Sequence, residues 1–251
     1  LTSTNGNVPV LNTITGNVDV PLLTQSGTYI IQYEICEKLN PANCSQASIY
    51  VVVERPQILA EDDLITNIDG YRGAPEVLNA LTSNDRYDGS LLTDINLVIR
   101  TVVSPATPID GGAVPFLLPA TGLVSIPQRT PAGTYQIKYI ICDRLNPLNC
   151  DEATITILVV VPPIVANDDF VDNINGNTGA NNVLNAYNND TLDGLPMDFL
   201  DFKGTLITSA SSLNGSPVPV FNELTGNVDV PAGTHAGTYF ITYQICGRLN
   251  S

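Results

Sequence analysis

The sequence predicts an all-β chain, and three observations point there. Apolar residues recur at every second position, no segment carries a sustained 3.6-residue apolar stripe, and 19 Gly and 18 Pro punctuate the segments between turns. The apolar set makes up 43% of the 251 residues and is rich in Val and Ile, with Thr and Tyr beside them, so cores can form. A disordered tail would instead combine few apolar residues with high net charge.

Self-similarity sets the organisation. Thr15-Gly-Asn-Val-Asp-Val-Pro21 recurs as Thr121-Gly-Leu-Val-Ser-Ile-Pro127 and Thr225-Gly-Asn-Val-Asp-Val-Pro231. Gly27-Thr-Tyr-Ile-Ile-Gln-Tyr-Glu-Ile-Cys36 recurs from Gly133 to Cys142 and from Gly237 to Cys246. Ala60-Glu-Asp-Asp63 returns as Ala166-Asn-Asp-Asp169, and Val77-Leu-Asn-Ala80 as Val183-Leu-Asn-Ala186. The copies are offset by 106 and then 104 residues. A period of about 105 residues is the size of an immunoglobulin-like β-sandwich. The frame is then the back half of a repeat over 1–55, a complete repeat over 56–161, and a repeat lacking its last strand over 162–251. Proline at each boundary (Pro56; Pro162 and Pro163) fixes φ and predicts semi-rigid joints in an elongated rod.

Within the repeat the Gly-Thr-Tyr segment is the clearest strand. Tyr135, Ile137, Tyr139 and Ile141 lie on one face, as do Tyr29, Ile31, Tyr33 and Ile35 in the first copy and Tyr239, Ile241, Tyr243 and Ile245 in the last. These tyrosines read as core packing. Ala153–Val161, matched by Ala47–Val53, is the closing strand; its nearly continuous apolar end predicts cover on both sides.

The five cysteines fall on the repeat. Cys36 and Cys44 bracket Glu-Lys-Leu-Asn-Pro-Ala-Asn, and Cys142 and Cys150 bracket Asp-Arg-Leu-Asn-Pro-Leu-Asn. Local disulfides Cys36–Cys44 and Cys142–Cys150 are expected, with Cys246 unpaired by truncation because the sequence stops at Gly-Arg-Leu-Asn-Ser. Disulfides imply an oxidising compartment outside the cytoplasm. Zinc is a poor alternative with one His in the chain.

Acidic and amide residues cluster. Asp62-Asp63 and Asp168-Asp169 follow the joints. Asn84-Asp85-Arg-Tyr-Asp88-Gly and Asn189-Asp190-Thr-Leu-Asp193-Gly come about twenty residues later, with Asp69 and Asp172 between. Calcium takes six to eight oxygens of these kinds, so all ten aspartates are candidate ligands. Asp, Asn and Gly are equally the formers of solvated turns, and that reading stays open.

A net charge of −15 with only 10 Lys and Arg excludes a basic nucleic-acid footprint and disfavours anionic membranes, and no apolar run reaches membrane-spanning length. Catalysis finds no constellation. The only histidine, His235, has Gln25 and Pro131 as counterparts, and no nucleophile elbow, phosphate loop or His-containing metal motif is present. A non-enzyme is expected.

The phrases Ala166-Asn-Asp-Asp169, Val183-Leu-Asn-Ala186, Asn189-Asp-Thr-Leu-Asp-Gly194 and Gly237-Thr-Tyr-Phe-Ile-Thr-Tyr243 resemble the cadherin-like and bacterial immunoglobulin-like repeats of giant cell-surface adhesins. The Ile-Cys-acidic-x-Leu-Asn-Pro-x-Asn-Cys phrase is similar to repeats of very large Bacteroidetes surface proteins, including gliding-motility adhesins. The resemblance covers essentially the whole chain. It implies secretion or cell-surface display, calcium at Asp62, Asp63, Asp168 and Asp169, and O-glycosylation at Thr191 in Asp190-Thr191-Leu192. Glu61 stands where the later copy has Asn167, so the ligand sets differ between copies.

Two functions follow. One is the stalk of a long adhesin, bearing load between cell and substrate, with neighbouring repeats as partners and an unspecified surface or glycan ligand. The other is a subunit of an extracellular filament, in which the closing strand Ala47–Val53 of one chain complements the last repeat of another identical subunit.

Overall fold

A computed structural model describes residues 7–248. The first six residues of the expected frame, and the end of the Gly247-Arg-Leu-Asn phrase from residue 249, lie outside the described residues. The chain is all-β, with one short helix, Ala80–Ser83, and one 3-10 turn, Ile95–Leu97, among the described residues.

The middle region forms two facing sheets. In the larger, Val98–Ser104, Gly133–Asp143 and Cys150–Val160 are antiparallel neighbours, and Asp63–Asp69 pairs in parallel with the outer side of Cys150–Val160. In the smaller, Phe116–Leu118, Leu123–Ile126 and Ala74–Asn79 form an antiparallel set. Their inner faces share one core, in which Ile137, Ile141, Ile155, Ile157, Leu117, Val124 and Ile126 are buried. The tyrosine–isoleucine face of Gly133–Asp143 points into it, because side chains alternate across a pleated strand.

The closing strand differs from expectation in one respect. Ile155, Ile157 and Val159 are buried, while Leu158 and Val160 are about 40% exposed (38% and 42%). The strand is flanked by other strands at both edges but covered by a sheet on one face only. Two hydrogen-bonded neighbours do not shield a face.

Gly16, Gly122 and Gly226 sit at φ +77°, +80° and +74° in the turn before the matching strand. Each donates its N–H to a carbonyl four residues back (Asn12, Leu118 and Asn222, all 2.8 Å), a turn that only a residue tolerant of left-handed φ closes without strain.

In the first region Gly27–Cys36 pairs with Cys44–Val53 in a two-stranded ladder, and Val10–Leu11 pairs with Val18–Asp19. In the last region Phe202–Thr208 pairs with Thr242–Gly247, and Ala180–Asn185, Asn227–Val230 and Val220–Phe221 form the second sheet. Its core gathers Tyr187, Phe202, Phe221 and Ile245, with Tyr187 edge-on to both phenylalanines. The strand expected from Gly237 begins only at Thr242, since Phe202–Thr208 reaches no further along it.

Candidate functional site

The aspartates that the sequence places together are drawn into hubs around a tyrosine. In the middle repeat Asn79 caps the short helix, accepting from the amides of Leu81 and Thr82. That turn delivers Ser83, Asn84 and Asp85 against the start of the strand Asp63–Asp69. Asp85 is fully buried; its carboxylate accepts the Tyr139 hydroxyl (2.9 and 3.1 Å) and the Glu61 amide (2.9 Å). Asp63, 7% exposed, accepts from the Ser83 hydroxyl (3.2 Å) through one oxygen, and its other oxygen is buried without a hydrogen-bond partner. Asp62 accepts from the Thr154 amide (2.7 Å), and the Asn84 amide group donates to the carbonyls of Glu61 and Asp62. Burial pushes Asp85 up to about 7 and Asp63 up to about 6, against the hydrogen bonds that hold them down. Burial and the Asp85 charge push the Tyr139 phenol up as well.

The last repeat repeats the hub. Asp190, 1% exposed, accepts from the Asn167 amide (2.8 Å) and the Tyr243 hydroxyl (3.1 and 3.3 Å). Tyr243 also reaches Asp169 (3.3 Å) and the Ala186 carbonyl (2.8 Å). Asn189 donates to the Asp168 carbonyl (3.1 Å). Asp169 and Asp190 are both raised, by burial first.

Asp63, Asp85 and Asp190 are buried, whereas Asp62, Asp168 and Asp169 are exposed. Asp63 opens a strand, and Asp85 packs against its start. Asp88 and Asp193 do make turns: at φ +52° and +53°, each followed by a left-handed glycine, they close two-residue hairpins. Asp172 accepts from its neighbour Asn173. Among the described residues, the three-residue group of close His, Cys, Asp or Glu ligand atoms is Glu34, Cys36 and Cys44, whose sulfurs are spent in a disulfide. None of the ten candidate aspartates belongs to such a group of three among the described residues.

Asp69 of the middle region and Asp193 of the last region lie side by side. Burial raises Asp69, and so does the Asp193 carboxylate beside it, which accepts the proton that Asp69 holds and repels its charge. Arg72 ion-pairs with Asp193, donates to its carbonyl (2.8 Å) and lies 3.5 Å from the Asp69 carboxylate. Arg129 grips Asp201 with two hydrogen bonds (2.7 and 3.1 Å) and touches Asp198 at 3.3 Å. Asp201 is 2% exposed. At the preceding joint Gln25 donates to the Leu145 carbonyl (2.8 Å), and Ser26 donates to the Asn146 side chain, which the second disulfide loop holds.

Sequence reasoning missed Arg72, Arg129, Asp198, Asp201 and the polar role of Tyr139 and Tyr243. Signals existed. Arginines are scarce in this acidic chain, and a phenol in an apolar stripe requires a partner.

Cys36–Cys44 and Cys142–Cys150 are disulfides with Cα separations of 4.1 and 4.0 Å, each joining residues directly opposite in a ladder. Rings this small restrict the unfolded chain by about 2.5 kcal/mol in the loop-entropy model. Cys246 is free and exposed. Tyr29, Tyr135 and Tyr239 each donate to the carbonyl four residues back (2.8 Å in all three), the corner that pins a strand to its preceding loop in immunoglobulin-like sandwiches. In the last of them the acceptor is His235, whose side chain is exposed. Thr191 sits half-buried in a two-residue strand beside Asp190. No helix among the described residues is long and apolar enough to cross a membrane.

No protein-family model matches the chain, and no curated protein matches it. Among solved structures it is similar to the protocadherin GammaB4 extracellular domain (10% identity, TM-score 0.30, 83% of this chain and 35% of that one). It is similar to the human desmocollin-1 ectodomain (10%, TM-score 0.32, 84% and 42%) and to repeats EC21-23 of human CDH23 (14%, TM-score 0.30, 92% and 73%). The chain thus spans between a third and a half of the first two. Superposition at this level is silent on function, and the β architecture rests on the ladders themselves.

Proposed function

We propose that the chain is a segment of an extracellular adhesion protein, in which β-sandwich repeats framed as 1–55, 56–161 and 162–251 act in series as a coupled, load-bearing stalk. The observation that carries this reading is the joint. Arg129 and Arg72 of the middle repeat hold aspartates of the last, so the two modules are clasped rather than strung on a free linker. Disulfides at the hairpin ends support it twice over: they shorten the chain that force can extract, and they belong to an oxidising compartment. A cell-surface adhesin of the bacterial type is the finer form of the same proposal.

Calcium belongs to this proposal at the hub. The unpartnered buried oxygen of Asp63, with Asp62 and Asp85 beside it, is the position where a hard cation has most to offer. At Asp69 and Asp193 an arginine already supplies the positive charge. Thr191 stays a candidate for glycosylation on its motif alone.

Stretching the full chain by its ends tests the stalk. Stepwise unfolding is expected, with the middle repeat releasing about 35 nm less the length locked behind its disulfide, and the locked length appearing on reduction. Smooth extension at low force sinks the reading. Calcium is tested separately: the melting temperature of the full chain should fall when calcium is exchanged for a chelator, and an unchanged value removes the cation.

A further inference from the structure

The joints between repeats are built from matched residues, and the matching differs from joint to joint. Arg129 lies in the loop Pro127-Gln-Arg-Thr130, where the Thr130 hydroxyl donates to the Pro127 carbonyl (2.7 Å). Leu23 in Pro21-Leu-Leu-Thr24 and Gly233 in Pro231-Ala-Gly-Thr234 occupy the same place. Their loops close with the same threonine bond (2.6 and 2.7 Å), and all three residues have left-handed φ (+61°, +62° and +85°). The outgoing loop therefore presents leucine, arginine and glycine in turn from an identical backbone.

The receiving side varies in step. Asp201 precedes the buried Phe202 and accepts the Arg248 amide at its carbonyl (2.8 Å). Leu97 precedes the buried Val98 and accepts the Arg144 amide in the same way (2.9 Å). Arg129 meets Asp201; the positions that correspond to them at the preceding joint hold Leu23, 58% exposed, and Leu97. The two positions that carry an ion pair at one joint carry leucines at the other.

We infer that positions 129 and 201, with their counterparts 23 and 97, form a key that selects which repeat follows which. The partner that fits the Arg129 loop is a repeat with a carboxylate before its buried aromatic strand. The partner that fits the Leu23 loop carries an aliphatic residue there. A repeat inserted out of order would set a leucine against the nearly inaccessible carboxylate of Asp201, or an arginine in the place of Leu23, at the joint where Leu97 stands. Burying an unpaired charge is the strongest local penalty available to such a joint. Tyr71, whose phenol also faces Asp201, adds a donor on the arginine's side of the joint. This inference rests on the serial reading above, but its test is separate from stretching and from calcium.

The test is a cycle of R129L, D201L and R129L/D201L in the full chain, read by thermal unfolding and by the spread of small-angle scattering. Both single variants mismatch the key; each is expected to lower the melting temperature of the last repeat by about 5 °C and to broaden the scattering. The double variant places leucine at both positions, as at 23 and 97, and is expected to recover most of both. A double variant as impaired as the worse single variant overturns the inference, and so do single variants indistinguishable from the parent. If D201L does not fold, D201N closes the cycle, with R129L/D201N expected above R129L alone.

Discussion

In the middle repeat Asp63–Asp69 is a strand, laid in parallel along Cys150–Val160; in the last repeat the corresponding residues 169–175 form no ladder, and no strand among the described residues occupies the place of Cys150–Val160. The two segments share Asp63, Asn67 and Ile68 with Asp169, Asn173 and Ile174. The consequences run inward: Ile65 is 8% exposed against 37% for its counterpart Val171, and Tyr139 is 1% exposed where Tyr243 is half-buried. Yet Asp85 and Asp190 are equally buried and hold the same amide and phenol partners. The hub is assembled by short loops and survives without the parallel strand. The ladder instead joins distant residues, with Asp63 opposite Ile155.

The largest test of this difference uses a pair of glycines. A Cβ on Gly70 would run into the Thr130 carbonyl and into Val159 of the closing strand, whereas one on Gly176 meets only the matching Thr234 loop. Gly70→Ala is expected to cost about 3 kcal/mol by chemical denaturation and Gly176→Ala about 1–2 kcal/mol. Equal costs would mean that the closing strand contributes nothing at this corner.

Next is the phenol. Tyr139→Phe leaves the buried Asp85 carboxylate without its side-chain donor and is expected to destabilise by about 2 kcal/mol. Tyr243→Phe should cost about half of that, since water reaches the half-buried site. A reversed order, measured by the same denaturation, would break the link between burial and the worth of the hub.

The remaining effect is in pH. Asp85, raised to about 7, and Asp63, raised to about 6, keep protons in the folded chain that unfolded carboxyls near 3.9 release. The folded state therefore binds more protons between about pH 4 and 7, and stability falls as pH rises through that window. Hydrogen exchange at the amides of Tyr139 and Asp85, corrected for intrinsic rate, should show protection declining from pH 5 to 7.5. Protection that rises instead would show these carboxylates to be stabilised as anions.

Much of this was legible beforehand, for physical reasons. A period of two and the recurrence of whole phrases report strand and repeat directly, because side-chain alternation is a property of the local backbone. The cysteines were legible because their spacing leaves only a hairpin between them. The aspartate clusters were legible as clusters but not as hubs: nothing local says that Tyr139, 54 residues beyond Asp85, turns its hydroxyl to it. The arginine joint was hidden for the same reason, since Arg129 meets Asp201 across 72 residues.

By itself, then, the sequence determined an all-β chain of repeats with disulfide-closed hairpins, since each depends on neighbours within a few residues. Only the tertiary structure decided which carboxylates are buried, which strand closes a sheet, and which arginine holds which repeat. Burial and charge pairing depend on distances through space, and those exist only once the sheets have packed.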